Sequence, residues 1–251
     1  MSVRRFGDGD GDRHVVYLHG LGEASGVFAP LLREPALSDG SFTHTLPDLP
    51  GYGRSVWPDK PMPLDDLAHE LADWMAGFRT PPVLVGHSMG GVMAVLVAEA
   101  APAVVTAVVN IEGNVSLDDC TFSGRVAAYD EARYIAEGHA QMANHIRSMA
   151  TDGSPESYYA AAFQFADPAS TYRHATDLVE VSVTETMAAR MAALSVPCVF
   201  IAGVPRGLAP RSVELLTAAG VPTVRVELAG HWTYWDQPRA CAAVVAELAG
   251  A

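Results

Sequence analysis

The segment Pro82-Val83-Leu84-Val85-Gly86-His87-Ser88-Met89-Gly90-Gly91-Val92 decides the fold of this 251-residue chain. Its apolar start is typical of a buried strand, and a helix-compatible stretch begins at Val92. The tight turn between them carries Ser88 at its apex, with Gly86 and Gly90 on either side where a Cβ atom would crowd the turn. Such a turn exposes the serine oxygen beside the positive N-terminal end of a helix. The segment therefore predicts a nucleophilic serine on a strand-to-helix turn.

Short apolar runs alternate with helical patterns over most of the chain, which favours a mostly parallel, doubly wound α/β sheet covered on both faces. We expect strands at residues 14–18, 42–46, 82–85, 104–111, 196–202 and 221–228. We expect helices at residues 27–32, 64–78, 92–100, 212–219 and 238–248.

The alternation stops between residues 113 and 194, where the sequence is helical in pieces, at residues 126–150, 158–165 and 184–193. We therefore expect residues 1–112 and 195–251 to form an α/β core. Residues 113–194 should form a helical cap, or lid, above the carboxyl edge of the sheet.

Composition excludes several function classes. The formal net charge of −13 argues against a nucleic-acid partner. No apolar run reaches the roughly 20 residues that span a bilayer, and no hydrophobic signal region follows the N-terminus, so we expect no membrane partner and a cytoplasmic location.

The three separated cysteines predict neither disulfides nor a zinc site. No spacing indicates a metal or a phosphate-binding loop, so we expect no metal and no cofactor. The arginine and alanine bias is typical of a GC-rich bacterial genome.

His231 is the best candidate for the base that a serine nucleophile requires. It lies between the last predicted strand and the last predicted helix, on a loop that can bring an imidazole back to Ser88. The alternative interpretation is a surface histidine at a helix end. His87 is adjacent to Ser88 in sequence and should point away from it.

These motifs, together with the His19-Gly20 turn and the turn at residues 48–55, follow one another in the order typical of α/β-hydrolases. The chain resembles members of that superfamily over nearly its whole length outside the expected cap. The resemblance implies the α/β-hydrolase fold and a triad of serine, histidine and an acid. It also implies that the backbone N–H groups of Leu21 and Met89 form an oxyanion hole. The motifs are specific for fold and triad, and not for substrate.

The acid departs from the commoner pattern of this superfamily. In many relatives an aspartate follows shortly after the glycine that ends the seventh strand, but here Gly203 is followed by Val-Pro-Arg206. We predict Glu112 as the acid, because it ends the strand that neighbours the strand of the serine. Haloalkane dehalogenases and zearalenone-type lactonases are similar in placing the acid after strand six.

Other assignments of these carboxylates stay open. Glu112 could instead cap a helix or pair with an arginine. Weaker candidates for the acid are Asp118, Asp119 and Asp236, and Asp236 fits better as a cap of the last helix. Glu214 is expected to lie well within a helix.

The leading hypothesis is a serine hydrolase that cleaves an ester or lactone of a small apolar molecule through an acyl-enzyme. Thioester cleavage and carbon–carbon bond hydrolysis are alternatives, as is a ligand-binding member of the fold without hydrolytic activity. Haloalkane dehalogenation is disfavoured, because it needs a carboxylate nucleophile. The oligomeric state stays open, with a homodimer among the options. The residues expected to line the substrate pocket are Gly20, His87, Trp232, Phe122 and Tyr129.

Overall fold

The computed structural model describes residues 1–7 and 13–250, and within them the strands form one seven-stranded sheet. The strand order is β1-β3-β2-β4-β5-β6-β7. β1 runs antiparallel to β3, and the other neighbouring pairs are parallel. The strands are β1 (Ser2–Phe6), β2 (Arg13–Leu18), β3 (Phe42–Asp48), β4 (Val83–His87), β5 (Ala107–Ile111), β6 (Cys198–Arg206) and β7 (Thr223–Gly230).

Helices connect and cover these strands. They are α1 (Ala29–Leu32), α2 (Pro35–Ser38), α3 (Leu64–Ala76), α4 (Met89–Ala100), α5 (Ser123–Ala127), α6 (Glu131–Arg133), α7 (His139–Met149), α8 (Pro155–Phe163), α9 (Pro168–Val183), α10 (Met187–Ala193), α11 (Pro210–Ala219), α12 (Thr233–Asp236) and α13 (Pro238–Gly250). Short 3₁₀ segments lie at Ser25–Phe28, Pro102–Val104 and Leu117–Asp119, and a π-helical turn lies at Tyr134–Gly138.

The inner strands of the sheet, β2 to β6, are largely buried on both faces, as continuous apolar strands require. Val16 and Leu18 of β2 pack into a cluster with α3, α4 and α11, whereas Val15 and Tyr17 pack into a second cluster with α1, α2 and α13. Because successive side chains of a strand point to opposite faces, one apolar strand supplies both layers. The expected doubly wound α/β architecture is confirmed.

The stretch between β5 and β6 is helical throughout its regular elements, α5 to α10. Its buried side chains, such as Tyr134, Phe163 and Leu178, belong to the same apolar cluster as α3 and α4. Packing therefore joins this stretch to the sheet through a continuous core.

Among the elements that were not expected are the edge strand β1 and the long helix α9. β1 has the mixed exposure of an edge strand and carries Arg4 and Arg5, so it gave no apolar signal. The longest helix of the stretch, α9, is rich in serine, threonine and valine, which are weak helix formers. Pro168 is its first residue and does not interrupt it, and the Asp167 side chain caps it by accepting from the backbone N–H groups of Ala169 and Ser170.

The glycines around Ser88 bring α4 against the sheet. A Cβ on Gly90 would collide with the backbone carbonyl oxygen of Leu18, and a Cβ on Gly86 would collide with the backbone of Gly90. In both cases the colliding atoms belong to the backbone and not to a flexible side chain, so they cannot move aside to accept a Cβ atom. The turn thus depends on glycine at both positions.

We predict that Gly90→Ala destabilises the protein by about 3 kcal/mol or more, because the methyl group would push α4 away from β2. Urea denaturation measures the change in free energy of unfolding. The matched control is Gly124→Ala in α5, where the added Cβ meets only the Cβ of Cys120 at 3.8 Å. The control should stay within about 1 kcal/mol of the parent, and equal stabilities of the two variants would contradict the prediction.

Candidate functional site

Ser88 lies between the end of β4 and the start of α4 in a conformation that L-residues rarely adopt, with φ 52° and ψ −119°. Its backbone N–H donates to the carbonyl of Ile111 at 2.9 Å, and its carbonyl accepts from the Gly91 N–H at 2.8 Å. The side chain is half-buried and lines a cavity at the carboxyl edge of the sheet. Strain of this kind, about 1–3 kcal/mol, persists where the surrounding structure holds a functional group in place.

Glu112 follows β5 and has a positive φ of 54°. Its backbone N–H donates to the carbonyl of Ile201 at 3.1 Å, and its Oε1 accepts from the Gly203 N–H at 2.5 Å. The residue is 2% exposed, and its Oε2 makes no hydrogen bond to any described residue. That free oxygen lies 3.7 Å from Nδ1 of His231. The pair is within ion-pair distance and longer than a hydrogen bond.

His231 follows the last residue of β7, and 42% of its side chain is exposed in the cavity. Its loop is held at Gly230, whose N–H donates to Asp236 Oδ2 at 2.8 Å and whose carbonyl accepts from Thr233 Oγ1 at 2.9 Å. Burial lowers the pKa of His231, but the facing carboxylate of Glu112, together with the charges of Glu23 and Asp119, raises it, and the net direction is upward. Glu112 therefore favours the protonated imidazole.

The other carboxylates considered from the sequence have structural partners. Asp119 accepts from the Ala209 N–H at 3.0 Å and from Ser212 Oγ at 2.6 Å. Glu214 is exposed and pairs with Arg211 at 3.2 Å. Asp236 ends α12 and holds Gly230, so the expectation that it caps the last helix is wrong. Asp118 lines the cavity. Among these residues only Glu112 faces the imidazole within ion-pair distance.

The cavity has a volume of about 530 Å³ and contains Ser88, Glu112 and His231 in its wall. Four of the five expected pocket residues also line it: Gly20, His87, Phe122 and Trp232. Tyr129 does not, because its ring packs against Tyr134 at 5.6 Å and its hydroxyl donates to Gln141. Apolar side chains from the stretch between β5 and β6 complete the wall: Phe122, Ile146, Met149, Tyr159 and Leu178.

The loop after β2 reaches the same cavity through Gly20 and Leu21. Within the described residues, no acceptor takes the backbone N–H of Leu21 or that of Met89, the first residue of α4. Both donors stay available to a ligand oxygen, which fits the expected oxyanion hole.

Glu23 is the site residue that the sequence reasoning missed. It is a buried carboxylate in the wall of the cavity, hydrogen-bonded to the Gly20 N–H and the Trp232 indole. A single acidic residue in a glycine-containing loop gives neither a periodic nor a motif signal. Only its burial reveals it.

No group of three or more metal-ligating side chains could hold a metal ion among residues 1–7 and 13–250. In the same residues, none of the helices has the length and apolar character needed to cross a membrane.

The fold and the placement of these motifs agree with the family comparison. The model of the alpha/beta hydrolase family matches residues 15–244, and the chain belongs to this family. The crystal structure of the enol-lactonase from Burkholderia xenovorans LB400 has the same fold, with a TM-score of 0.79 and 18% identity over 100% of this chain and 96% of that chain.

Two curated relatives match a smaller part of the chain. Lipase LipV of Mycobacterium tuberculosis is 33% identical over 120 residues, which is 47% of this chain and 43% of the lipase. Pimeloyl-[acyl-carrier protein] methyl ester esterase of Cronobacter sakazakii is 38% identical over 105 residues, 41% of this chain and 37% of the esterase. The match thus spans less than half the length of either curated relative.

We predict that Glu112→Gln lowers the pKa of His231. The amide keeps the shape of the side chain but removes the negative charge that stabilises the imidazolium, so the ring loses its proton at a lower pH. NMR titration of the His231 ring measures the midpoint. Glu214→Gln removes an equal charge from an exposed position and should leave the midpoint unchanged. A midpoint that does not fall in Glu112→Gln would show that the carboxylate and the imidazole are uncoupled.

Proposed function

We propose that this protein is a serine hydrolase that cleaves a carboxylic ester or lactone of a small, largely apolar molecule through an acyl-enzyme intermediate. In this proposal Ser88 is the nucleophile, His231 the general base and acid, and Glu112 the acid of the triad. The single observation that carries it is the meeting of a strained serine turn and a coupled histidine–carboxylate pair in one cavity.

Acylation begins when Ser88 Oγ attacks the substrate carbonyl while its proton passes to Nε2 of His231. The negative charge that develops on the carbonyl oxygen is stabilised by the N–H groups of Leu21 and Met89. The imidazolium formed at the same moment faces Glu112 Oε2, whose distance of 3.7 Å can shorten once the ring carries a second proton. His231 then returns a proton to the leaving oxygen, and the acyl group stays on Ser88.

Deacylation repeats these steps with water as the nucleophile. His231 removes a proton from a water molecule that enters through the open side of the cavity. The water oxygen attacks the acyl carbonyl, and the proton passes to Ser88 as the acid leaves. The exposure of the His231 side chain allows this exchange without movement of the sheet.

The wall of the cavity supports an apolar substrate. We propose that residues 113–194 act as the cap, because Phe122, Met149 and Leu178 line the same cavity as Ser88 and His231. A volume of about 530 Å³ lies within the range of pockets that enclose a small organic molecule. The names of the similar proteins, a lipase, a methyl ester esterase and an enol-lactonase, support an ester or lactone bond.

We predict that a fluorophosphonate probe labels the protein on Ser88, since the triad raises the reactivity of that hydroxyl alone. Ser88→Ala should abolish labelling and reduce hydrolysis of short p-nitrophenyl esters by about a thousandfold or more. Mass spectrometry locates the label, and thermal unfolding checks that the variant folds. Ser195→Ala, an exposed loop serine, is the control and should behave as the parent. A folded parent that neither reacts with the probe nor cleaves esters would refute the serine mechanism.

A panel of substrates separates the bond types. We expect a higher kcat/KM for a macrolactone and a p-nitrophenyl ester than for an acyl thioester or a β-diketone. Faster thioester cleavage would identify a thioesterase, and β-diketone cleavage a carbon–carbon bond hydrolase. Tight binding of one of these compounds without turnover, unchanged in Ser88→Ala, would indicate a ligand-binding protein.

A further inference from the structure

Glu23 has three polar neighbours, one in its own loop after β2, one at the end of β4 and one in the loop after β7. Its Oε1 accepts from the indole Nε1 of Trp232 at 2.7 Å, and its Oε2 accepts from the backbone N–H of Gly20 at 2.7 Å. The same Oε2 lies 3.0 Å from Nδ1 of His87. Glu23 and His87 are 2% and 1% exposed, so water contributes little to either group.

Hydrogen-bond accounting assigns two ring protons to His87. Its Nε2 lies 3.0 Å from the backbone carbonyl oxygen of His231, which can only accept, so Nε2 carries a proton. Its Nδ1 faces a carboxylate oxygen at 3.0 Å, and two lone pairs would repel at that distance. The Tyr234 hydroxyl, 3.1 Å from Nδ1, can accept a share of the same proton.

The proton between the two groups belongs on the imidazole and not on the carboxyl. Glu23 already accepts from two N–H donors, which stabilise the charged form. Burial by itself raises the pKa of Glu23, but the charge of His87 and these hydrogen bonds bring it down to about 2. The hydrogen-bond geometry thus places a proton on each ring nitrogen of His87 and leaves Glu23 as the carboxylate that faces it.

We propose that Glu23, through its ion pair with His87, is a positioning residue that fixes the three loops of the proposed active site to one another. Gly20 belongs to the loop of the oxyanion hole, His87 to the nucleophile turn, and Trp232 to the histidine loop. Through Nε2 the pair also holds the backbone of His231 itself. This inference rests on the proposed function.

The arrangement matters for two physical reasons. Misplacement of reacting groups by about 1 Å can cost a hundredfold in rate, and one buried carboxylate here contacts all three segments that carry the proposed reacting groups. In addition, the His87 ring centroid lies only 4.8 Å from that of His231. A fixed positive charge there would oppose protonation of His231 during catalysis, and the carboxylate of Glu23 offsets it.

Glu23→Gln tests the proposal. The amide has one acceptor oxygen for three donors, so at least one loop loses its link. We expect kcat for a p-nitrophenyl ester to fall by tenfold or more while KM changes less than twofold, since Phe122, Met149 and Leu178, which line the apolar part of the cavity, are not among the hydrogen-bond partners of Glu23. Glu247→Gln, an exposed residue of α13, removes the same charge and should retain the parent kcat.

The protonation of His87 is tested independently by ¹⁵N NMR of the unsubstituted protein at neutral pH. Both ring nitrogens should show the chemical shifts of protonated nitrogens. The measurement uses the unsubstituted protein, so it does not depend on whether a variant folds. One unprotonated nitrogen, or a folded Glu23→Gln with unchanged kcat, would overturn the inference. Absence of ester hydrolysis by the unsubstituted protein would instead overturn the proposed function. Failure of the inference and failure of the proposed function therefore give different results.

Discussion

The hydrogen bonds between the ends of β4, β5 and β6 are the constraint on which the site depends. The backbone N–H of Ser88 donates to Ile111 in the next strand, and the N–H of Glu112 donates to Ile201 in the strand after that. Each residue is thus held by one further ladder bond after its own strand has ended. Both then turn to a positive φ, which directs their side chains out of the sheet at the same edge. The strain is tolerated because the parallel ladder and the tightly packed α4 hold the backbone on both sides.

The ladder also bears on the proposed position of the acid at Glu112. Where many relatives carry an aspartate after β6, this chain continues the strand through Arg206, and the Gly203 N–H donates to Glu112. The backbone of β6, just before that position, therefore holds the carboxylate that follows β5. An arginine at Arg206 is acceptable because the acidic group reaches the imidazole from the neighbouring strand.

The strands β2 to β7 and the serine turn could be predicted, because apolar runs and glycine spacing report directly on burial and close approach. The edge strand β1 and helix α9 could not, since their stability comes from tertiary contacts and capping and not from their own pattern. The sequence also brought Ser88, Glu112 and His231 to one edge of the sheet through the order of the strands. It could not give the 3.7 Å separation of the histidine and the carboxylate, nor the position of Tyr129 outside the cavity. Glu23 was missed for the same reason, because its contacts with His87 and Trp232 join residues more than 60 positions apart.

Two glutamate–histidine pairs lie side by side in this site and differ in solvent access. His231 is 42% exposed and faces a carboxylate oxygen with no other partner, so its proton can come and go while the pair adjusts its distance. His87 is buried, and both of its ring nitrogens are engaged, one by Glu23 and the other by the carbonyl of His231. An imidazole that exchanges protons needs access to water and a carboxylate whose distance can change. An imidazole that holds loops together needs neither. The same two residue types therefore suit opposite tasks, and burial decides which task each pair can perform.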